Sequence, residues 1–127
     1  RAVNRRQWDR GELERLMAVA DSETGRVFRA YTRILQIRRR QKAFHPDAAQ
    51  EILDLDNGLF GLRRVSTDGR QTILCLFNCT SQVARVGRSR LPEDIDDWKE
   101  LIGTTAVVLE EARLVLPPCA ACWFSSP

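Results

Sequence analysis

Hydrophobic residues recur along this chain with two different periods, and the change falls near residue 45. Leu13, Leu16, Met17 and Ala20 are spaced as on one face of a helix, and Asp9 stands where an N-cap carboxylate accepts the first free amides. Asp21-Ser22-Glu23-Thr24-Gly25 breaks that helix. Val27, Phe28, Tyr31, Ile34 and Leu35 then repeat at three- and four-residue steps, with Ala30 and Ile37 widening the stripe. They predict a second helix over residues 25–42. Pro46 disfavours helical geometry at His45, so the helix ends there or just before.

Beyond Pro46 the period moves towards two. Residues 51–55 read as a strand, and Asn57-Gly58 as a turn. Residues 59–65 form the next strand, turned by Thr67-Asp68-Gly69. The almost wholly apolar residues 72–78 predict a central strand covered on both faces. Shorter strands follow at 82–86, 98–102, 106–109, 114–116 and 120–124, around a polar irregular stretch at 89–97 and a hairpin connection at Glu110-Glu111. The expected fold is mainly β with N-terminal helices: an antiparallel sandwich of seven or eight strands preceded by two helices. The domain boundary is placed between residues 1–44 and 45–127.

Charge separates the same two parts. Residues 1–42 carry 12 Lys/Arg against 5 Asp/Glu, a balance of +7, whereas residues 43–127 carry 8 against 12, a balance of −4. A basic helix with Arg26, Arg29, Arg33 and Arg40 on one side suits nucleic acid, or a layer that meets an acidic surface elsewhere. No apolar run approaches the roughly 20 residues of a membrane span. Arg1-Ala2-Val3-Asn4 offers neither a signal-peptide core nor an initiator Met. A processed or cut chain is therefore expected, part of something larger and cytoplasmic.

Catalytic chemistry is sparse. His45 is the only histidine, and its place before a proline suits a junction residue that satisfies a backbone group. Cys75, Cys79, Cys119 and Cys122 have spacings that raise a zinc site. Against it, Cys75 lies within an apolar run, and Cys119 and Cys122 would point to opposite faces of one strand. Buried free thiols in a reducing compartment are the favoured reading, with no metal and no cofactor. Trp98, Trp123 and Phe124 are read as core, with stacking on a sugar as the alternative. Asp54 and Asp56, then Asp94, Asp96 and Asp97, lack the spacing of a calcium loop. No catalytic residue is assigned.

Taken in order, "VNRRQWDRGELERLM" (3–17), "VFRAYTRILQIRRRQKAFHP" (27–46), "ILDLDNGLFGLRRVSTDGRQTILCLFNCTSQVARV" (52–86), "WKELIG" (98–103) and "LVLPPCAACWF" (114–124) resemble one known arrangement. It is the C-terminal end of the sucrose-phosphorylase-like branch of the α-amylase superfamily, glycoside hydrolase family thirteen. Asn4-Arg5 with Glu12-Leu13-Glu14 narrows the resemblance to that branch, whose usual R-D/E-I-N-R-H differs here at Ala2 and Arg6.

The resemblance implies that the second helix is the last of a (β/α)8 barrel, that Phe44-His45-Pro46 leads into domain C, and that the β domain caps the barrel. It implies a retaining double displacement on an α-glucoside such as sucrose, with all catalytic carboxylates upstream on the barrel. Arg5 and Arg1 match family positions near the donor-sugar pocket and are the expected substrate-binding residues. The missing barrel is the expected partner, with neither nucleic acid nor membrane, and self-association would cover the apolar helix stripe. A carbohydrate-binding module using Trp98 and Trp123 and a nucleic-acid adaptor using the basic helix are the alternatives. The first requires exposed, coplanar rings, the second steeply salt-dependent binding.

Overall fold

The computed structural model describes residues 7–103 and 107–127. By packing, the chain divides into two compact units between Gln36 and Ile37, inside the second helix.

In the first unit α1 spans Arg10–Ala18 and α2 begins at Glu23, continuing to Arg39 in the second unit. Asp9 caps α1 as its sequence position suggests, its Oδ1 accepting the Glu12 amide at 2.9 Å. Ser22 starts α2 in a similar way, accepting the Gly25 amide on Oγ at 3.0 Å and donating to the Leu16 carbonyl. Gly25 is buried against that turn, where a Cβ would lie 2.7 Å from the Val19 carbonyl oxygen, so only glycine allows the approach. Arg29 donates to the carbonyl of Met17, an acceptor that the last turn of α1 leaves unpaired, and to that of Ala20 just beyond the helix. One member of the basic stripe, though exposed, thus also caps the C-terminal end of α1.

In the second unit α2 stops at Arg39, three residues before the expected end. Gln41 turns extended (φ −99°, ψ 121°) and a 3-10 turn at Lys42–Phe44 follows. The departure has a local cause. Gln41 Oε1 accepts from Gln71 Nε2 at 2.7 Å, and Ala43 is fully buried against Ile73 and Cys75.

Eight strands follow: β1 Ala49–Ile52, β2 Leu59–Val65, β3 Thr72–Asn78, β4 Ala84–Gly87, β5 Lys99–Glu100, β6 Val108–Leu109, β7 Arg113–Leu116 and β8 Ala121–Ser125. β2 and β3 coincide with the strands read from the sequence. The expected strand at 106–109 begins outside the described residues, and its described part is β6. All pairings are antiparallel, giving a five-stranded sheet in the order β1-β2-β3-β8-β5 and a three-stranded sheet in the order β4-β7-β6. The strand β1–β2 connection is longer than a two-residue hairpin. Gly58 (φ +85°) still turns it, where a Cβ would meet Thr80 Cγ2 at 2.3 Å.

The main core fills the space between the sheets with Leu74, Leu76, Val86, Ile95, Leu114, Leu116, Cys122 and Phe124. Asn78, 2% exposed, links the sheets at one end. Its Nδ2 donates to the carbonyls of Gln82, Leu116 and Pro117, and its Oδ1 accepts from the Thr80 amide and hydroxyl. A buried amide so fully satisfied fixes one arrangement of the loops around it.

Candidate docking surface

Side chains alternate along a strand, so the register assigns each residue to a face. Leu74 and Leu76 of β3 and Cys122 and Phe124 of β8 point into the sandwich. Ile73, Cys75 and Phe77, with Ala121 and Trp123, point outward. β2 adds Phe60, Leu62 and Arg64 to the outer face, and β1 adds Gln50 and Ile52. An antiparallel sandwich normally turns polar side chains outward. Here the outer face of the larger sheet is apolar, and β3 is covered on both faces as its sequence suggests.

The 3-10 turn covers part of that face. Phe44 stacks on Trp123 with ring centroids 4.7 Å apart and planes at 54°. Arg64 holds the turn: Nε donates to the Ala43 carbonyl at 2.7 Å, Nη2 to the His45 carbonyl at 2.8 Å and Nη1 to Gln50 Oε1 at 3.1 Å. Its guanidinium and that of Arg38 lie 5.9 and 5.7 Å from the Phe44 ring centroid. Gln71 Oε1 accepts the Ala43 amide at 3.1 Å, and Lys42 Nζ donates to Asp68 Oδ2 at 2.9 Å. His45 accepts the Asp47 amide on Nδ1 at 3.2 Å, the backbone-satisfying role read from its position. Beyond the turn the face is open. Ile52 is 72% and Phe60 42% exposed, the latter ring 5.8 Å from that of Phe77.

The first unit is equally unfilled. No residue of α1 and only Gly25 of α2 is buried, while Val27, Phe28, Tyr31 and Leu35 are at least half exposed. Leu13, Met17, Val27, Phe28 and Tyr31 line an apolar groove of ≈ 710 Å³. Two apolar surfaces are thus presented, one on each unit.

Arg1 and Arg5, the expected sugar-binding residues, lie outside the described residues. The cysteines divide differently from expectation: Cys75 and Cys122 are buried, but Cys79 and Cys119 are exposed. Burial pushes both core thiols up to about 12, and they occupy opposite faces of the sheet. Cys119 belongs to the turn before β8, at φ +54°, instead of sharing that strand with Cys122. Trp98 and Trp123 are only partly exposed and pack against different clusters on the two sides of the sheet, so they are not the coplanar exposed pair that stacking on a sugar needs. Trp98 lines a groove of ≈ 420 Å³ with Glu51, Arg63, Arg90 and Asp94. Among the described residues no three His, Cys, Asp or Glu side chains are grouped to hold a metal ion, and no helix is long and apolar enough to cross a membrane.

Arg64 and Gln71 were not singled out by sequence reasoning. A signal existed for Arg64: it shares strand parity with Phe60 and Leu62, so a charge stands on an apolar face.

No family model matches the chain. It is 34% identical over 92 residues to a glucosylglycerate phosphorylase of Allomeiothermus silvanus, a match covering 70% of this chain and 16% of the relative. A second glucosylglycerate phosphorylase, from Spirochaeta thermophila, is 37% identical over 79 residues, 61% of this chain and 13% of the relative. Among solved structures the fold is similar to the α-glucosyl transfer enzyme XgtA (TM-score 0.64, 20% identity, 80% of this chain and 18% of that one). It is also similar to isomaltulose synthase from Klebsiella sp. LX3 (TM-score 0.61, 22% identity, 88% and 19%) and to trehalose-6-phosphate hydrolase of Bacillus licheniformis (TM-score 0.60, 17% identity, 88% and 20%). The chain spans less than a fifth of the curated relatives it matches. Two helices leading into an antiparallel β domain, together with these sequence matches, identify the chain as similar to a C-terminal fragment of α-amylase-superfamily enzymes, with glucosylglycerate phosphorylases as its sequence relatives.

Proposed function

We propose that this chain is a non-catalytic piece of a longer α-glucoside-active enzyme, with residues 1–44 completing a (β/α)8 barrel and residues 45–127 capping and stabilising it. The observation that carries this reading is the open part of the apolar outer face of the larger sheet, at Ile52 and Phe60. The apolar helix groove adds to it, and the relatives, of which this chain matches 13–16%, are long enough to supply the occupant. The catalytic carboxylates belong to that barrel, at the C-terminal ends of its strands. One would attack the anomeric carbon while another protonates the leaving oxygen, leaving a glucosyl-enzyme for phosphate to resolve. Two named relatives point to glucosylglycerate as the donor, and sucrose is the donor of the branch that the sequence resembles. Arg5, and with it Arg1, would bind donor hydroxyls. Four unlinked cysteines favour a cytoplasmic location.

The test joins this chain to the barrel sequence upstream of it in its gene. The long protein is assayed with phosphate and either donor for release of glucose 1-phosphate, with the 127-residue chain as control. Release by the long protein alone is expected. Phe60→Ser and Ile52→Ser should lower its melting temperature more than that of the short chain. A gene without barrel sequence, or equal shifts in both proteins, would sink the capping role.

A second reading, a carbohydrate-binding module, has the Trp98 groove in its favour. Sucrose that quenches indole fluorescence in wild type but not in Asp94→Ala would support it.

A further inference from the structure

We propose that Cys79 and Cys119 form a reversible intramolecular disulfide, a modification site at the end of the β3–β8 ladder. The ladder places them together. Its last paired residues are Phe77 and Ala121, and the next step continues through a 2.8 Å bond from the Asn78 amide to the Ala120 carbonyl. Continued one residue beyond that step, the register would set Cys79 against Cys119. On the far side the Cys119 amide donates to the Thr80 carbonyl at 2.9 Å, so Cys79 sits between two cross-chain bonds. The Cys119 sulfur lies 3.6 Å from the Thr80 carbonyl oxygen, directed towards the segment that carries Cys79. Opposed residues of a regular antiparallel ladder have Cβ atoms about 4.5–5.5 Å apart; Cys119 lies in the turn at φ +54°, so the turn must shift to bring the pair to the roughly 3.5–4.5 Å of a disulfide.

Access singles out the same pair. Cys79 and Cys119 are exposed, whereas Cys75 and Cys122 are buried on opposite faces of the sheet and cannot meet. The buried pair is also held protonated, which removes the thiolate that exchange requires. Two neighbouring turns supply the adjustment. Cys79 enters the loop leading to β4, and Cys119 occupies the third position of the turn closed by the bond from the Ala120 amide to the Pro117 carbonyl.

The oxidant is a small disulfide such as oxidised glutathione. One protein thiolate attacks it, forming a mixed disulfide and releasing one glutathione. The second protein thiolate then displaces the other glutathione, so two protein thiols become one disulfide while one glutathione disulfide is reduced to two thiols. The cross-link closes residues 79–119 into one loop, which holds β4, β5, β6 and β7. It would pin the end of the larger sheet independently of what covers its outer face.

The experiment oxidises the reduced chain with glutathione disulfide at several protein concentrations. It then counts thiols that react with a chromogenic disulfide under native conditions and measures the intact mass. The expected result is a fall from two native thiols to none, a mass lower by two hydrogens, and a rate independent of protein concentration. Dithiothreitol restores both thiols, and the oxidised form unfolds at higher urea. Cys79→Ser and Cys119→Ser, both surface changes, each abolish the mass loss and leave a single glutathione adduct instead. Two stable adducts on the wild-type chain, a disulfide-linked dimer, or no loss of thiols would each overturn the proposal.

Discussion

Phe44 and Trp123 meet at a ring-centroid distance of 4.7 Å, and this contact seats the end of the helical segment on the β domain. Phe44 arrives from a 3-10 turn, Trp123 from a central strand of the larger sheet. Between them they bury the apolar surface that would otherwise continue the open patch at Phe60 and Ile52. The basic-to-β junction is therefore a packed element of the second unit and not a loose linker.

Phe44→Ala should destabilise the β domain by about 2 kcal/mol, below the usual cost of a buried Phe because this ring is only partly buried. A double-mutant cycle with Trp123→Leu should leave a coupling of about 1 kcal/mol for the ring pair. Urea unfolding followed by far-ultraviolet circular dichroism measures both. Additive effects would mean that the rings touch without depending on each other.

Arg64→Lys tests the clamp on the turn. A lysine keeps the charge, but its single ammonium group lacks the planar fork that reaches the Ala43 and His45 carbonyls together while lying against Phe44. The expected loss is about 1–2 kcal/mol, with faster tryptic cleavage between residues 38 and 42. Unchanged cleavage would show that Gln71 and Lys42 suffice to hold the turn.

Much of this was legible from period alone. β2 and β3 are bounded by strong turn signals and read directly, and Asp9 capped the helix it was expected to cap. The end of α2 was not legible. Its stripe runs on past Arg39, and what stops it is the tertiary demand of Gln71 and of the pocket for Ala43, groups about 30 residues away in sequence. The open apolar face was hidden for a related reason. Ile52, Phe60 and Trp123 each read as ordinary strand apolar residues until the register put them on the side away from the main core. Arg1 and Arg5 rested on resemblance alone and lie outside the described residues.

The acid limb of stability should depend on Asp68. Its bond from Lys42, then those from Ser66 and the Arg70 amide, hold its carboxyl below the ordinary 3.8, and Lys42 is raised in return. A depressed carboxylate contributes fully above its ordinary value and loses that contribution as pH falls towards the folded one. The raised lysine contributes fully below its ordinary 10.5 and loses that as pH climbs through its folded value. Between neutral pH and about pH 3, wild type should therefore lose more urea resistance than Asp68→Asn, and high salt should narrow the gap. Asp96, lowered by Arg88, adds to the same limb and remains in the variant. Parallel curves would exclude Asp68 as a contributor.

Cys119 offers the sharpest test of local backbone energetics, because it sits at φ +54°, the left-handed region, with its thiol exposed. A side chain there costs about 1 kcal/mol relative to glycine, partly offset by the greater freedom glycine has when unfolded. The turn from Pro117 to Ala120, with Pro118 second and Cys119 third, is the arrangement in which glycine normally fills the third place. Cys119→Gly should accordingly raise stability under reducing conditions by a few tenths of a kcal/mol. Cys119→Val, β-branched at the same angle, should lower it by more than that. Urea midpoints of the three reduced proteins decide the matter. If glycine destabilises, the bond from the Cys119 thiol to the Thr80 carbonyl outweighs the strain, and the cysteine holds its turn as a structural residue.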